Sequence, residues 1–171
     1  MARDTTTDDI TLRLVDRLAE ILRQLSGWGV LADGSKAVYA GLLLPFPQEP
    51  FPCGYCFVEA QDIDQTQGTG YHYITNFLVV RILGGPVTPK YRVNPERSVY
   101  SVLSGVVNEL AYRRYLEDVN GAPFPNIAPE GKLTVGRPRG MRKIDYGEQG
   151  GFAGMEVPAT VKLSIHVGRR S

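Results

Sequence analysis

The chain has little of what most catalytic and metal-binding sites are built from. Its 171 residues include two cysteines and two histidines. A zinc site at Cys53-Gly-Tyr-Cys56 would need two further donors, and only His72 and His166 supply ring nitrogens. No second cysteine pair exists to complete a four-sulfur site. Neither charge sign dominates: 19 Lys and Arg face 18 Asp and Glu. That balance excludes a strongly basic nucleic-acid binder and an acidic tail, so any electrostatic role must come from local clustering. Long hydrophobic runs are missing too. The stretch "FLVV", Phe77 to Val80, is far too short to span a bilayer. The opening "MARDTTTDDI" has no apolar core of the signal-peptide kind. The expectation is a soluble protein made in a cytoplasm, with no membrane partner.

Catalytic signatures are equally scarce. Nothing like G-x-S-x-G or H-E-x-x-H occurs. The two histidines sit on strand patterns, where they are more often structural. The C-x-x-C pair follows a Pro-rich loop and precedes "FVEAQ", which reads as strand, whereas a redox pair opens a helix whose N-terminus lowers the thiol pKa. Residues three apart on a strand point to opposite faces, so Cys53 and Cys56 are poorly placed to share a ligand. The stretch "GVLADGSK", Gly29 to Lys36, echoes a phosphate loop. However, its Ser35 and Lys36 are in reversed order and no strand–helix context supports it, so it reads as a turn. No enzyme activity, metal or cofactor is expected.

What is present is a clear order of elements. Leu14, Val15, Leu18, Ile21, Leu22 and Leu25 recur at helical spacing, with Thr7 or Asp8 as cap and Gly27 as stop. Cys53–Asp62 and Tyr71–Leu83 read as two strands of a hairpin joined by the polar turn "QTQGTG". In the second strand Phe77 and Val79 point one way, and Leu78, Val80 and Ile82 the other. Both faces are apolar, so both ask for cover. A second helix opens with Asn94 as cap and Pro95 at its first position. Its stripe is Val99, Leu103, Val106, Val107 and Leu110, with Arg113 and Arg114 in its last turns. The C-terminal strand alternates, with Val161, Leu163, Ile165 and Val167 on one side. Helix, hairpin, helix and two strands make one α+β domain over residues 1–171. It has an antiparallel or mixed sheet of four to five strands and two amphipathic helices on one face.

Three connections stand out. Residues 45–52 and 123–129 are Pro-rich, and the first carries a greasy set: Leu42, Leu43, Leu44, Phe46 and Phe51. With Phe77 and Val79, these are the expected subunit contacts, because an apolar loop either drapes on its own core or packs on a neighbour. Residues 136–154 form the third. "GRPRG" places Arg137, Arg139, Arg142 and Lys143 close together, with Asp145 and Glu148 beyond them. Arginine in a DNA minor groove is a real mechanism, but these residues lack interleaved stacking aromatics and sit between two strands. The segment reads as a Gly-rich β-hairpin arm projecting from the sheet, an arm for assembly.

This order of elements, from the first amphipathic helix through "NPERSVYSVLSGVVNEL" to the terminal strand pair, resembles the tail terminator (tail completion) proteins of long-tailed bacteriophages. Head–tail joining and neck proteins share the plan. The resemblance spans Asp8 to Val167. It implies a structural virion protein, assembled in the host cytoplasm, that closes into a ring of six. Such a ring ends the tail tube and meets the head–tail connector. Implied partners are further copies of itself, the tail tube protein, a sheath protein where one exists, the connector, and genomic DNA in non-specific contact within a lumen that residues 136–154 would line. The Pro-rich stretches depart from the family pattern.

Overall fold

The computed structural model describes residues 7–41, 50–65, 71–87, 95–113 and 133–166. Helix α1 (Thr7–Arg23) is followed by a short strand β1 (Val38–Ala40), then the long strands β2 (Cys53–Gln65) and β3 (Tyr71–Pro86). Helix α2 (Pro95–Tyr112) comes next, then β4 (Thr134–Val135), β5 (Arg142–Asp145), a single 3-10 turn (Gly147–Gln149) and β6 (Gly151–His166). The sheet runs β1-β2-β3-β6-β4, with β5 also on β6. β1 is parallel to β2 and every other pairing is antiparallel. This is the α+β class with a mixed sheet. Among the described residues, no helix is long and apolar enough to cross a membrane.

The helical stripes land where their period places them. Leu14, Leu18, Ile21 and Leu22 of α1 pack with Val99, Val102, Val106 and Leu110 of α2 in one cluster. That cluster takes in Leu78, Val80 and Ile82 of β3 and Val157, Val161 and Leu163 of β6. The helices thus cover one sheet face, the 3.6-residue stripe meeting the period-2 strand face. Leu25, Leu103 and Val107 pack only partly buried at its border. Helix α1 begins at Thr7, so the capping position falls on Thr6, outside the described residues, as does Asn94 before α2. Arg113 lies one residue past α2 and bonds Glu109 at 2.6 Å; Arg114 is outside the described residues.

Two local devices fix the helices to the sheet. The indole N–H of Trp28 donates to the carbonyl of Leu22 at 2.8 Å, adding a second donor to a last-turn carbonyl that also accepts the Leu25 N–H at 3.1 Å. The same ring lies on Gly54 of β2, where a Cβ would come within 2.8 Å of it. At the other helix, Gly84 of β3 sits directly beneath Pro95, and any side chain there would collide with the Pro95 carbonyl oxygen. Gly84 lets the first turn of α2 rest on the strand backbone.

The segment Gly29–Lys36 is a turn. Val30 and Lys36 form an isolated bridge, and the Asp33 carboxylate accepts from both the Ser35 hydroxyl, at 2.6 Å, and the Ser35 backbone N–H, at 2.9 Å. Those bonds, the side-chain one first, hold the Asp33 carboxyl below its usual pKa.

Candidate functional site

The sheet face away from the helices divides into three zones. The first is a second, smaller core. Ala37, Cys53, Tyr55, Phe57, Val79, Leu83, Ile144 and Phe152 are buried there, with Tyr39, Phe51 and Tyr146 packed against them. Tyr146 meets Phe152 edge-on at 5.6 Å between centroids, and Phe51 meets the same ring at 5.9 Å. This core exists because residues 136–154 do not project from the sheet. β5 pairs with β6, from Arg142↔Gly154 to Asp145↔Gly151, and lays Ile144 and Tyr146 on the face. The arm expected from the sequence is a hairpin folded back onto its own sheet. Its glycines serve close packing as much as bending: Gly154 has the Ile82 carbonyl oxygen 2.8 Å from where a Cβ would stand. Of the six glycines in the segment, Gly147 and Gly150, at the hairpin tip, are the pair with left-handed φ, +61° and +83°.

The second zone is charged. Arg81 and Glu156 are paired across β3 and β6, and the Glu156 carboxyl, only 2% exposed, takes Arg81 at 3.3 Å. Arg142 contacts its other oxygen, and Arg139 stands 3.6 Å from that oxygen. Arg139 also forks onto Glu59, at 3.0 Å to Oε2 and 3.3 Å to Oε1. Glu59 sits where the β2–β3 register slips between Val58 and Ala60. A bulge of this kind re-aims a side chain, here toward Arg139. The Arg81 Nε is buried with no hydrogen-bond partner among the described residues, and its guanidinium lies 5.1 Å above the Phe57 ring. A carboxylate this deeply buried requires paired charge, and the arginines provide it.

The third zone is uncovered by the described residues. Tyr73, Thr75, Phe77, Pro158, Thr160 and Lys162 are only partly buried, and Lys162 sits 4.7 Å over the Tyr73 ring. Beside them Ala60, Asp62 and Asp64 of β2 are exposed.

The expected contact residues fall on different sides of this division. Leu42, Leu43, Leu44 and Phe46 lie outside the described residues. Phe51 closes the small core, and Val79 is 0% exposed within the chain itself, so it offers no surface. Phe77 alone stands in the uncovered zone. In the arm, Arg139 and Arg142 are engaged by carboxylates of their own chain. Lys143 lies 3.5 Å from Asp145 two residues on. Arg137, Lys143, Asp145 and Glu148 are exposed.

Sequence reasoning missed the Arg81–Glu156–Glu59 cluster. A signal existed: Arg81 interrupts "FLVVRIL" and Glu156 interrupts "GMEVPATV", two opposite charges inside apolar strands. It also missed buried Asn76, whose Oδ1 accepts from Gln61 at 2.7 Å.

The thiols sit as strand geometry requires. Cys53 belongs to the small core and Cys56 to the helix-side core, and both are fully buried. Burial pushes each up to about 12. Among the described residues, no group of three or more His, Cys, Asp or Glu could hold a metal. An apolar groove of about 300 Å³ runs between α1 and the β1–β2 edge, lined by Leu12, Val15, Ala40 and Val58 among others. No protein-family model matches the chain, and no curated protein matches its sequence.

Proposed function

We propose that this chain is the repeating subunit of a closed ring in a phage virion, serving as a tail terminator between tail tube and head connector. The observation that carries the reading is a sheet face that the described residues cover over only one half. Phe77 and its neighbours are only partly buried there, on a sheet whose other face carries both helices. A heterologous contact that closes covers such a surface in every copy at once. A further feature is consistent with it: the basic segment spends Arg139 and Arg142 on internal carboxylates, which suits a lumen where DNA slides rather than a DNA grip. A neck or head–tail joining protein of the same plan is the second reading, and the two differ in what each ring face touches.

The test is native mass spectrometry and negative-stain imaging of the purified chain, alone and with tail tubes. The expected result is a ring, of six subunits by the family resemblance, seated at the tube end. An isologous dimer at all concentrations and on assembled particles overturns the reading. A ring that binds connectors but never tubes selects the neck protein.

A further inference from the structure

Among the described residues the sheet has two edge stretches without a partner strand, and they match each other. On one side, β1 covers the outer edge of β2 only from Gly54 to Cys56. Beyond it, among the described residues, no strand pairs with that edge, and Glu59 to Asp64 are all exposed. Ile63 is 61% exposed, unusual for an isoleucine in a strand. On the other side, β5 and β4 cover the outer edge of β6 at Gly151–Gly154 and Ala159–Thr160. Between those stretches, the Arg139 N–H donates to the Glu156 carbonyl. From Val161 onward, among the described residues, the β6 edge has no partner strand either. An unpaired edge is a row of free N–H and C=O groups, a template for another strand.

Three relationships make these edges a pair. The first is direction: β2 and β6 are both antiparallel to β3, so they run parallel to each other. The β2 edge already accepts a parallel neighbour, β1. The second is height. Gln61 and Val161 both pair with Asn76, and Asp62 and Lys162 both pair with Thr75. The two free stretches therefore lie at the same level of the sheet. Rotation about an axis along the strands preserves level, so it would bring the free part of β6 in one copy beside the free part of β2 in the next. The third is charge. Asp62 and Asp64 mark the β2 edge and Lys162 the β6 edge, on the same face.

The geometry points to a second copy of this chain as the occupant of each edge. The β6 edge of one subunit adds in parallel to the β2 edge of its neighbour, so that β2, β3 and β6 of every subunit join one continuous sheet around the ring. This rests on the ring reading above and names its interface. Charged edges alone would guard against such pairing, but here the charges are opposite and in register, so they select the heterologous partner over a β2–β2 pairing that sets Asp62 and Asp64 against their own copies.

A disulfide engineered between positions 62 and 162 tests it. Within one chain these positions are two strand spacings apart, about 9–10 Å. That exceeds the reach of a disulfide, about 7 Å between Cα atoms. Any bond between the two introduced thiols is therefore between subunits, and Cys53 and Cys56 are too buried to compete. The double variant Asp62→Cys/Lys162→Cys, oxidised under assembly conditions, should give a ladder on a non-reducing gel that stops at the ring's full complement. Neither single variant should crosslink. With native cysteines alone, Asp62→Lys and Lys162→Asp should each lower ring yield at least tenfold, and the two together should restore it. Rings that form without a ladder, or that ignore both charge changes, overturn the edge pairing and leave the ring standing. A dimer crosslinked by Asp62→Cys alone overturns it in favour of isologous pairing. No ring and no ladder at any concentration, or on tail tubes, overturns both.

Discussion

Arg81 and Glu156 face each other across β3 and β6, 3.3 Å apart, at the point where the small aromatic core gives way to the half of the sheet that the described residues leave uncovered. Glu156 is the shared anion of three arginines, two of which reach water. Removing it leaves Arg81 flanked by rings with no buried counter-charge. Glu156→Ala should cost about 3 kcal/mol, at the low end for breaking a buried pair because Arg139 and Arg142 can turn to solvent. Urea unfolding reads this as a lower midpoint at unchanged slope. A loss under about 0.5 kcal/mol, the scale of an ordinary surface change, would refute it.

Reversing all four basic residues of the arm would not isolate an assembly role. Arg139→Glu and Arg142→Glu would each add a carboxylate beside Glu156, so the fold itself should weaken. The exposed pair, Arg137→Glu with Lys143→Glu, separates the effects. Its thermal midpoint should stay close to wild type, since exposed pairs such as Lys143–Asp145 are worth about 0–1 kcal/mol. Under the ring proposal, if that variant assembles at normal yield, the exposed charge of the arm has no role in assembly.

Gly84→Ala should destabilise the chain by about 1–3 kcal/mol, because the methyl group displaces Pro95 and with it the first turn of α2. In a protein of this size, that is a fall of about 2–4 °C in Tm for each kcal/mol. Gly34→Ala is a control for positive φ without crowding, since nothing lies within 4 Å of its Cβ position. Gly84 has no positive φ, so its loss reports crowding alone, and a change there under about 0.5 kcal/mol would refute the contact with Pro95.

Alkaline pH should unfold the protein in a defined window. Burial raises Cys53 and Cys56 from 9.0 to about 12 and also raises Tyr55. The unfolded chain gives up these protons first, so it binds fewer protons than the native state above about pH 9. The stability contributed by the protonated groups is complete below about pH 9 and falls as pH rises toward about 12. Denaturant midpoints at about pH 8 and about pH 10.5 should differ, and Cys53→Ala/Cys56→Ala should narrow the difference. The thiols should label slowly in the native state at about pH 8. Fast labelling of both would contradict their burial.

The elements whose signal is local were legible in the sequence. The stripe from Leu14 to Leu22, Pro95 opening α2, the hairpin of β2 and β3, and the opposite faces of Cys53 and Cys56 all follow from period and side-chain chemistry. What was not legible depends on partners distant in sequence. Glu59 meets Arg139 and Arg81 meets Glu156 only after the sheet forms. β4 and β5 have two and four residues, too few for a period to show. Without them, Gly136–Gly154 looked like a free arm, and Val79 looked like surface when Ile144 and Phe152 share its core.

The place of β6 in the sheet also sets the order in which the molecule can form. It follows every other described element in sequence, yet it lies inside the sheet, between β3 and the β4–β5 edge. The hairpin of β2 and β3 closes a short loop and can form early. Leu78 must wait for Ala159, across a long intervening chain that includes α2. Until that closure, the apolar residues of β3 have neither the helix-side nor the aromatic core complete. The topology predicts that one late, long-range encounter governs folding, and that the slow step and the step most exposed to misassociation are the same event, the addition of β6 to β3.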